Sequence, residues 1–154
     1  MLLNYSTAVD ASPSTVFACV YVPQHIVGWV GGAVEHVYLS EEGTEAPIGR
    51  RFRQRLRQGR TIRTFEGEII AWEPAVHLGL RIPTRAYMTE AHFCIAAIGG
   101  ERSKVDYTID IALQSRLAKL LGPIIKLPLR LFIRKQIRFL KAYAEALQLT
   151  KAPA

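Results

Sequence analysis

Four histidines are the first side chains to consider for chemistry, because an imidazole can bind a metal or transfer a proton near neutral pH. They are His25, His36, His77 and His92. No pair has the HxH or HxxxH spacing typical of zinc sites, and no Ser-His-Asp order has diagnostic spacing. The sequence also has no phosphate-binding loop or dinucleotide fingerprint. We therefore expect no metal and no cofactor, and we interpret each histidine as structural.

Strand alternation predicts that a second set of polar side chains points to the apolar face of a sheet. They are Gln54, Arg63, Tyr87, Thr89 and Tyr107. A buried, unpaired guanidinium would be very costly, so we expect Arg63 near a pocket mouth, beside a carboxylate, or facing an anionic headgroup. The alternative is that it extends from a strand end into solvent. A Tyr87–Arg63 pair could polarise a carbonyl, which makes catalysis conceivable without a histidine.

The elements that position these residues begin with a strand over residues 3–9 and continue with strands between Ala33 and Gln114. Turn signals occur at Gln58-Gly59, after Glu73, near Thr84 and at Gly99-Gly100. They predict a register in which one face is apolar and the other is charged. The predicted pairs are Phe52–Phe65, Arg51–Glu66, Glu68–Arg81, Ile69–Leu80, Ala71–Leu78, Ile82–Tyr87, Phe93–Tyr107 and Ile95–Val105.

The helical signals flank these strands. Ser12-Pro13 predicts the start of a helix that ends near Tyr21, and a second helix is predicted over 23–29. After Gln114 the apolar spacing becomes helical through to about Gln148, with Pro128 expected to bend the helix and a break expected at Gly122. Its basic stripe consists of Lys126, Arg130, Arg134 and Arg138.

The composition is that of an ordinary globular chain of 154 residues, 49% apolar and 21% charged, with a net charge of +7. No signal peptide is recognisable, and polar residues and a proline interrupt the uncharged stretch 16–34, so we expect a cytoplasmic protein. Cys19 and Cys94 lie in apolar surroundings and are predicted to be buried free thiols. The arginines of 50–63 alternate along strands and are expected to meet solvent and carboxylates, so we expect no nucleic-acid partner.

The element order resembles the START-like (SRPBCC) superfamily, which includes polyketide cyclase/dehydrase-like proteins and the pollen allergens. The resemblance rests on segments spread over nearly the whole chain, and the segment VYLSEEGTEAP at 37–47 does not match the glycine-rich loop of the pollen allergens. The matching segments are DASPSTVFACV at 10–20, VGW at 27–29, IGRRFRQRL at 48–56, FEGEIIAWEP at 65–74, SKVDYTIDI at 103–111 and the closing LKAYAEAL.

The resemblance implies one START-like domain over 1–154 with an α+β helix-grip fold. A curved antiparallel seven-stranded sheet wraps around a long C-terminal helix, and two short helices follow strand 1. It also implies an internal cavity for hydrophobic molecules. From the register we expect the cavity to be lined by Phe52, Gln54, Arg63, Phe65, Leu80, Tyr87, Thr89, Phe93, Tyr107, Leu121, Ile125 and Phe132.

Three functions follow from these features. The first is binding, and by extension transport, of a small hydrophobic ligand such as a lipid, polyketide or aromatic metabolite. The second is polyketide cyclase or dehydratase chemistry in the same cavity. The third is attachment to an anionic membrane surface through the basic C-terminal helix, although we expect the sheet to cover that helix's apolar side. Association as a homodimer is compatible with all three.

Overall fold

The computed structural model describes residues 1–39 and 47–151 as one antiparallel sheet with three helices. The strands are β1 Leu2–Val9, β2 Ala33–Tyr38, β3 Arg51–Gln58, β4 Thr61–Glu73, β5 His77–Pro83, β6 Tyr87–Gly99 and β7 Arg102–Leu113. The helices are α1 Pro13–Tyr21, α2 Pro23–Trp29 and α3 Arg116–Lys151. The sheet order is β1-β7-β6-β5-β4-β3-β2. This is the predicted α+β helix-grip fold, with seven strands and two short helices after strand 1. The comparison of 37–47 with a glycine-rich loop falls largely outside the described residues.

The start of α1 follows the sequence signal. Ser12 is the N-cap, and its hydroxyl accepts a hydrogen bond from the Thr15 backbone N at 3.3 Å. Pro13 occupies the first turn, where its missing N–H costs nothing. The helix ends at Tyr21, since Pro23 begins α2 and Val22 is extended.

The predicted strand pairing is right for four pairs of β4 with β5 and of β6 with β7: Glu68–Arg81, Ile69–Leu80, Phe93–Tyr107 and Ile95–Val105. The other four predicted pairs are wrong. Phe52 lies opposite Gly67 and Arg51 opposite Glu68, Ala71 lies opposite Gly79 after a bulge, and Ile82 lies opposite Thr89.

The first of these errors comes from the position of the β3–β4 turn. Gln58 pairs with Thr61, so the two loop residues are Gly59 and Arg60. Gly59 has a φ of 63°, the left-handed value that the first loop position of a type II′ hairpin requires. The resulting shift of two residues moves the partner of Arg51 from Glu66 to Glu68. It leaves the two faces unchanged, because side chains alternate with a period of two.

The core lies between the inner face of the sheet, α1, α2 and the second half of α3. Cys19 is buried there as a free thiol, and burial raises its pKa to about 11. The prediction for Cys94 is wrong: it is exposed, since its position on β6 faces away from the core. The fully buried large side chains include Phe52, Ile69, Leu78, Ile137, Leu140, Val9, Val16 and Val105.

The long helix differs from its prediction in two ways. It is continuous through Gly122, with Pro123 and Pro128 inside it, so the predicted break is absent. The sheet also does not cover the apolar side of its first half, where large side chains are exposed. Gly122 is buried there because Leu113 and Met1 pack close to its backbone.

Candidate functional site

An apolar cavity of about 250 Å³ lies between the inner face of the sheet and the helices α2 and α3. Leu129, Phe132, Ile133, Gln136 and Ile137 form the α3 wall, at spacings that place them on one side of the helix. Strands β2, β3, β5, β6 and β7 supply the sheet side, through His36, Tyr38, Phe52, Gln54, Leu56, Leu80, Ile82, Ala91, Phe93, Tyr107 and Ile109. Val20, Ile26, Trp29, Val30 and Gly31 close the remaining end.

Strand β4 contributes no lining residue, and in the middle of its inner face Gly67 has no side chain to contribute. It faces inward opposite Phe52, and a Cβ added at Gly67 would come within 2.7 Å of the Phe52 ring and 2.6 Å of the Arg81 carbonyl oxygen. The Phe52 ring thus occupies the space that a side chain on β4 would fill, and it forms part of the cavity wall there.

His36 is the most unusual group in the cavity wall. It is 8% exposed, and neither ring nitrogen has a hydrogen-bond partner among the described residues. Its ring stacks on Phe52 at 5.2 Å and lies edge-on to Tyr38 at 5.3 Å. Burial lowers the pKa of His36 to about 4, from 6.5, because the charged imidazolium would lose its hydration. His36 is therefore neutral near pH 7, with one donor and one acceptor unused.

Two further polar groups face the same space. Gln54 lies opposite His36 on the neighbouring strand, and Tyr107 packs against Phe93 with ring centroids 4.7 Å apart. Burial raises the pKa of Tyr107 to about 12, so its hydroxyl stays protonated and can donate. Three polar side chains thus point at an otherwise apolar cavity.

The other polar groups of the wall are already engaged. The Tyr38 hydroxyl donates to the Tyr21 carbonyl oxygen at 2.6 Å, and the Arg50 guanidinium carbon lies 5.5 Å from the centre of the Tyr38 ring. The Gln136 side-chain oxygen accepts from the Gly31 backbone N at 3.0 Å. Trp29 donates from Nε1 to the Cys19 carbonyl oxygen at 2.8 Å. These bonds hold the wall in place and leave His36 as its buried unpaired group.

Exposed lining residues mark where the cavity reaches the surface. Gly31 and Phe132 both line it and are both exposed. The Gly31–Gln136 hydrogen bond joins their two segments, since Gln136 is one helical turn after Phe132. The mouth therefore lies between the α2–β2 connection and α3.

Six of the twelve predicted lining residues meet at this cavity: Phe52, Gln54, Leu80, Phe93, Tyr107 and Phe132. The other six lie elsewhere: Arg63, Phe65, Tyr87, Thr89, Leu121 and Ile125.

Their positions have simple causes. Arg63 is exposed near the β3–β4 hairpin, on the inner face but beyond the cover of α3, as in the strand-end alternative. Tyr87 and Thr89 are at the start of β6, away from the α3 residues that line the cavity. Leu121 and Ile125 belong to the first half of α3 and are exposed.

Sequence reasoning missed fifteen of the 21 lining residues, among them His36, Trp29 and Ala91. For His36 a signal existed: Gln54 was placed inward, and pairing β2 with β3 sets His36 opposite Gln54. That pairing was not predicted because β2 has no short hairpin to fix its register.

The remaining histidines lie outside the cavity. His25 Nδ1 is 2.8 Å from the Tyr143 hydroxyl. His77 begins β5, and its Nε2 is 2.8 Å from His92 Nδ1. The pKa of His92 is lowered by burial and by the proximity of His77. Among the described residues, no group of three or more potential ligands could hold a metal ion.

The predicted outer face of the sheet carries ion pairs. Arg81 reaches Glu90 at 3.0 Å and Glu68 at 3.3 Å, and Arg51 contacts Glu66 at 3.4 Å. Such exposed pairs contribute little stability each, but they account for the alternate arginines without any ligand. No helix in residues 1–39 or 47–151 combines the length and apolarity needed to cross a bilayer.

Solved structures with the same fold cover nearly the whole chain. A START superfamily protein from Mycobacterium smegmatis is 12% identical with a TM-score of 0.72, covering 98% of this chain and 99% of that one. The Zhui aromatase/cyclase from Streptomyces sp. R1128 is 11% identical with a TM-score of 0.75, covering 94% and 93%. Norcoclaurine synthase from Thalictrum flavum, in complex with dopamine and hydroxybenzaldehyde, is 11% identical with a TM-score of 0.67, covering 100% and 89%. At these identities the likeness concerns the fold.

The sequence comparison identifies the family. No curated protein matches the chain. The family described as polyketide cyclase / dehydrase and lipid transport matches residues 3–145, which is most of its length. Together with the helix-grip fold and its apolar cavity, this match shows that the chain belongs to the polyketide cyclase/dehydrase and lipid transport family.

Proposed function

We propose that the protein binds a compact, mostly apolar small molecule carrying one or two hydrogen-bonding oxygens. The observation that carries the proposal is the pair of unpartnered ring nitrogens on His36 in an apolar cavity. An unpaired polar group at such a site costs free energy that a ligand's hydroxyl or carbonyl would offset.

The size of the cavity narrows the ligand class. Its volume of about 250 Å³ is slightly below the roughly 300 Å³ at which small-molecule sites usually begin. A bicyclic aromatic or short polyketide-like molecule fits this volume better than a two-chain lipid. Trp29, Phe52 and Phe93 offer ring faces and edges for stacking against such a molecule.

Binding can be followed through Trp29, which lines the cavity, while Trp72 packs against Phe17 and Tyr21 outside it. Native mass spectrometry of the purified protein comes first, to detect and extract any retained compound. The protein is then titrated with 2-naphthol while tryptophan fluorescence is recorded. We expect saturable quenching, and about tenfold weaker binding of naphthalene, which lacks the hydroxyl.

A matched pair of variants tests the location. Ala91→Leu fills part of the cavity, whereas Ala96→Leu makes the same change at an exposed position of the same strand. We expect Ala91→Leu to weaken 2-naphthol binding at least about tenfold and Ala96→Leu to leave it unchanged. His36→Phe should remove the preference for 2-naphthol over naphthalene. Equal binding by all three variants would overturn the proposal.

A second candidate function is proton transfer within the same cavity, and the unpartnered ring nitrogens of His36 favour it. An imidazole lone pair that faces the cavity can accept a proton from a bound carbon acid, and burial, which lowers the pKa of His36, makes it a weak base for this step. The test is deuterium exchange at the α carbon of 2-tetralone, followed by NMR. Exchange that is abolished by His36→Gln while 2-tetralone still binds would support catalysis. Exchange at the uncatalysed rate would leave binding as the function.

A further inference from the structure

The first half of α3, residues 116–132, displays large apolar side chains to solvent. Five of them recur at spacings of three and four, which place them along one side of the helix. We call this set the outward stripe: Leu117 (66% exposed), Leu120 (75%), Ile124 (71%), Leu127 (64%) and Leu131 (56%). Exposed apolar side chains in one contiguous row are unusual on a soluble surface and mark an interaction site.

The outward stripe points away from the rest of the molecule. The opposite side of the helix buries Gly122 and Ile133 and partly buries Ala118 and Leu129. One side of the helix thus packs against the sheet, where Gly122 lies close to Leu113. No described residue covers the other side.

The charge around the stripe is entirely positive. The sequence from Arg116 to Lys141 contains eight lysines and arginines, and no aspartate or glutamate occurs between Asp110 and Glu145. Four exposed cations form what we call the basic flank, alongside the outward stripe: Lys119, Lys126, Arg130 and Arg134. None of these four forms an ion pair with a carboxylate in the part of the chain that is described.

We propose that the outward stripe and the basic flank form a docking surface for an anionic lipid bilayer. The leucines and Ile124 would enter the boundary between headgroups and acyl chains, and the basic flank would contact lipid phosphate and carboxylate groups. Long lysine and arginine stems let the charge reach the headgroups while the helix lies in the interface plane.

The charge pattern favours a bilayer over a second copy of the chain. Two copies packed stripe to stripe would bring two basic flanks together, with no carboxylate in this segment of either copy to neutralise them. An anionic membrane supplies the missing negative charge. The docking proposal stands independently of ligand binding, although Phe132 lies at both the surface and the cavity mouth.

The experiment is flotation of the full chain with vesicles of phosphatidylcholine alone and of phosphatidylcholine mixed with phosphatidylserine. We expect binding to the mixed vesicles only, and its loss at high salt because screening weakens the attraction. Leu120→Ser should reduce the partition coefficient by about tenfold. Its control is Leu149→Ser, a residue of the same helix that is 77% exposed but lies outside the stripe.

A second pair of variants tests the contribution of the basic flank. Arg130→Glu should reduce binding to the mixed vesicles more than about tenfold, whereas Arg60→Glu, an equal charge change in the exposed β3–β4 hairpin, should have a small effect. Circular dichroism spectra and thermal melts of all four variants are the control for loss of folding. No binding to anionic vesicles at low salt would overturn the proposal, and so would equal losses in stripe and control variants. Concentration-dependent dimerisation that Leu120→Ser abolishes, without vesicle binding, would assign the stripe to a second copy and also overturn it.

Discussion

The two halves of α3 have similar apolar content but opposite relations to the sheet. In residues 133–151 the buried side is closed by Ile133, Ile137, Leu140 and Ala144, which pack into the core. In residues 116–132 the buried residue is Gly122, and the leucines other than Leu129 are exposed. The comparison teaches that a long helix can be packed over only part of its length: the cavity wall on α3 begins at Leu129, and the large apolar side chains at Leu117, Leu120 and Ile124 stay exposed.

The largest expected effect comes from shortening a buried side chain in the second half of α3. Leu140 is 1% exposed, so Leu140→Ala should lower the free energy of unfolding by about 2–5 kcal/mol through lost burial and a residual cavity. Leu120→Ala, at an exposed site in the first half, should change it by less than about 0.5 kcal/mol. Urea denaturation measures both. If both variants lost a similar free energy of unfolding, the two halves of α3 would contribute equally to stability and the contrast between them would be wrong.

The apolar environment beneath the second half of α3 can be tested through His36, since Ile133 and Ile137 line the same cavity. Its folded-state pKa of about 4 lies below 6.5, so between these values the unfolded chain binds more protons than the folded chain. The free energy of unfolding should therefore fall as the pH is lowered, by about 3 kcal/mol from this group at about pH 4.

His36→Gln isolates that contribution, because an amide does not titrate. The variant should lose less stability than the wild type when urea denaturation is repeated from about pH 7 to about pH 4. Parallel pH profiles for the two proteins would mean that His36 is hydrated and that the cavity wall is wetter than its geometry indicates.

The second half of α3 is also attached to the rest of the protein by hydrogen bonds of the Gln148 side chain. The Gln148 side-chain oxygen accepts from Thr15 Oγ1 at 2.8 Å and from the Ser12 backbone N at 3.1 Å, and its nitrogen donates to Glu101 at 2.9 Å. Gln148→Met should lower the free energy of unfolding by about 1–3 kcal/mol, since Thr15 and Ser12 lose their acceptor. Gln114→Met, at an exposed site before α3, is the control. An unaffected melting temperature for Gln148→Met would argue against this attachment.

The smallest expected effect requires no substitution. Amide hydrogen exchange should be faster in residues 120–130 than in 133–143, because few side chains anchor the first half and Pro123 and Pro128 cannot donate helical hydrogen bonds. Exchange resolved by mass spectrometry of short peptides measures it. Uniformly slow exchange along α3 would contradict the difference between its two halves. If adding anionic vesicles slowed exchange only in residues 120–130, it would support membrane contact by the first half.

Strand alternation allowed five of the cavity-lining residues to be placed in advance. Phe52, Gln54 and Tyr107 were assigned inward, and they line the cavity even where the partner was wrong, as for Phe52. A shift of two residues preserves the face, so the face is a more robust prediction than the partner. Arg63 shows the limit, because it is on the predicted inner face yet exposed.

The sequence by itself determined the order of elements, the capped start of α1 at Ser12 and the apolar face of the sheet. These depend on local hydrogen bonds and on short periodicities that a few neighbouring residues specify. Only the tertiary structure decided which turn of α3 lies over the sheet. That depends on the length of the sheet and on close approaches such as Gly122 to Leu113, both of which join residues from different elements. The same long-range packing buried His36 without a partner and left Leu120 exposed, because the covering helix is longer than the surface it covers.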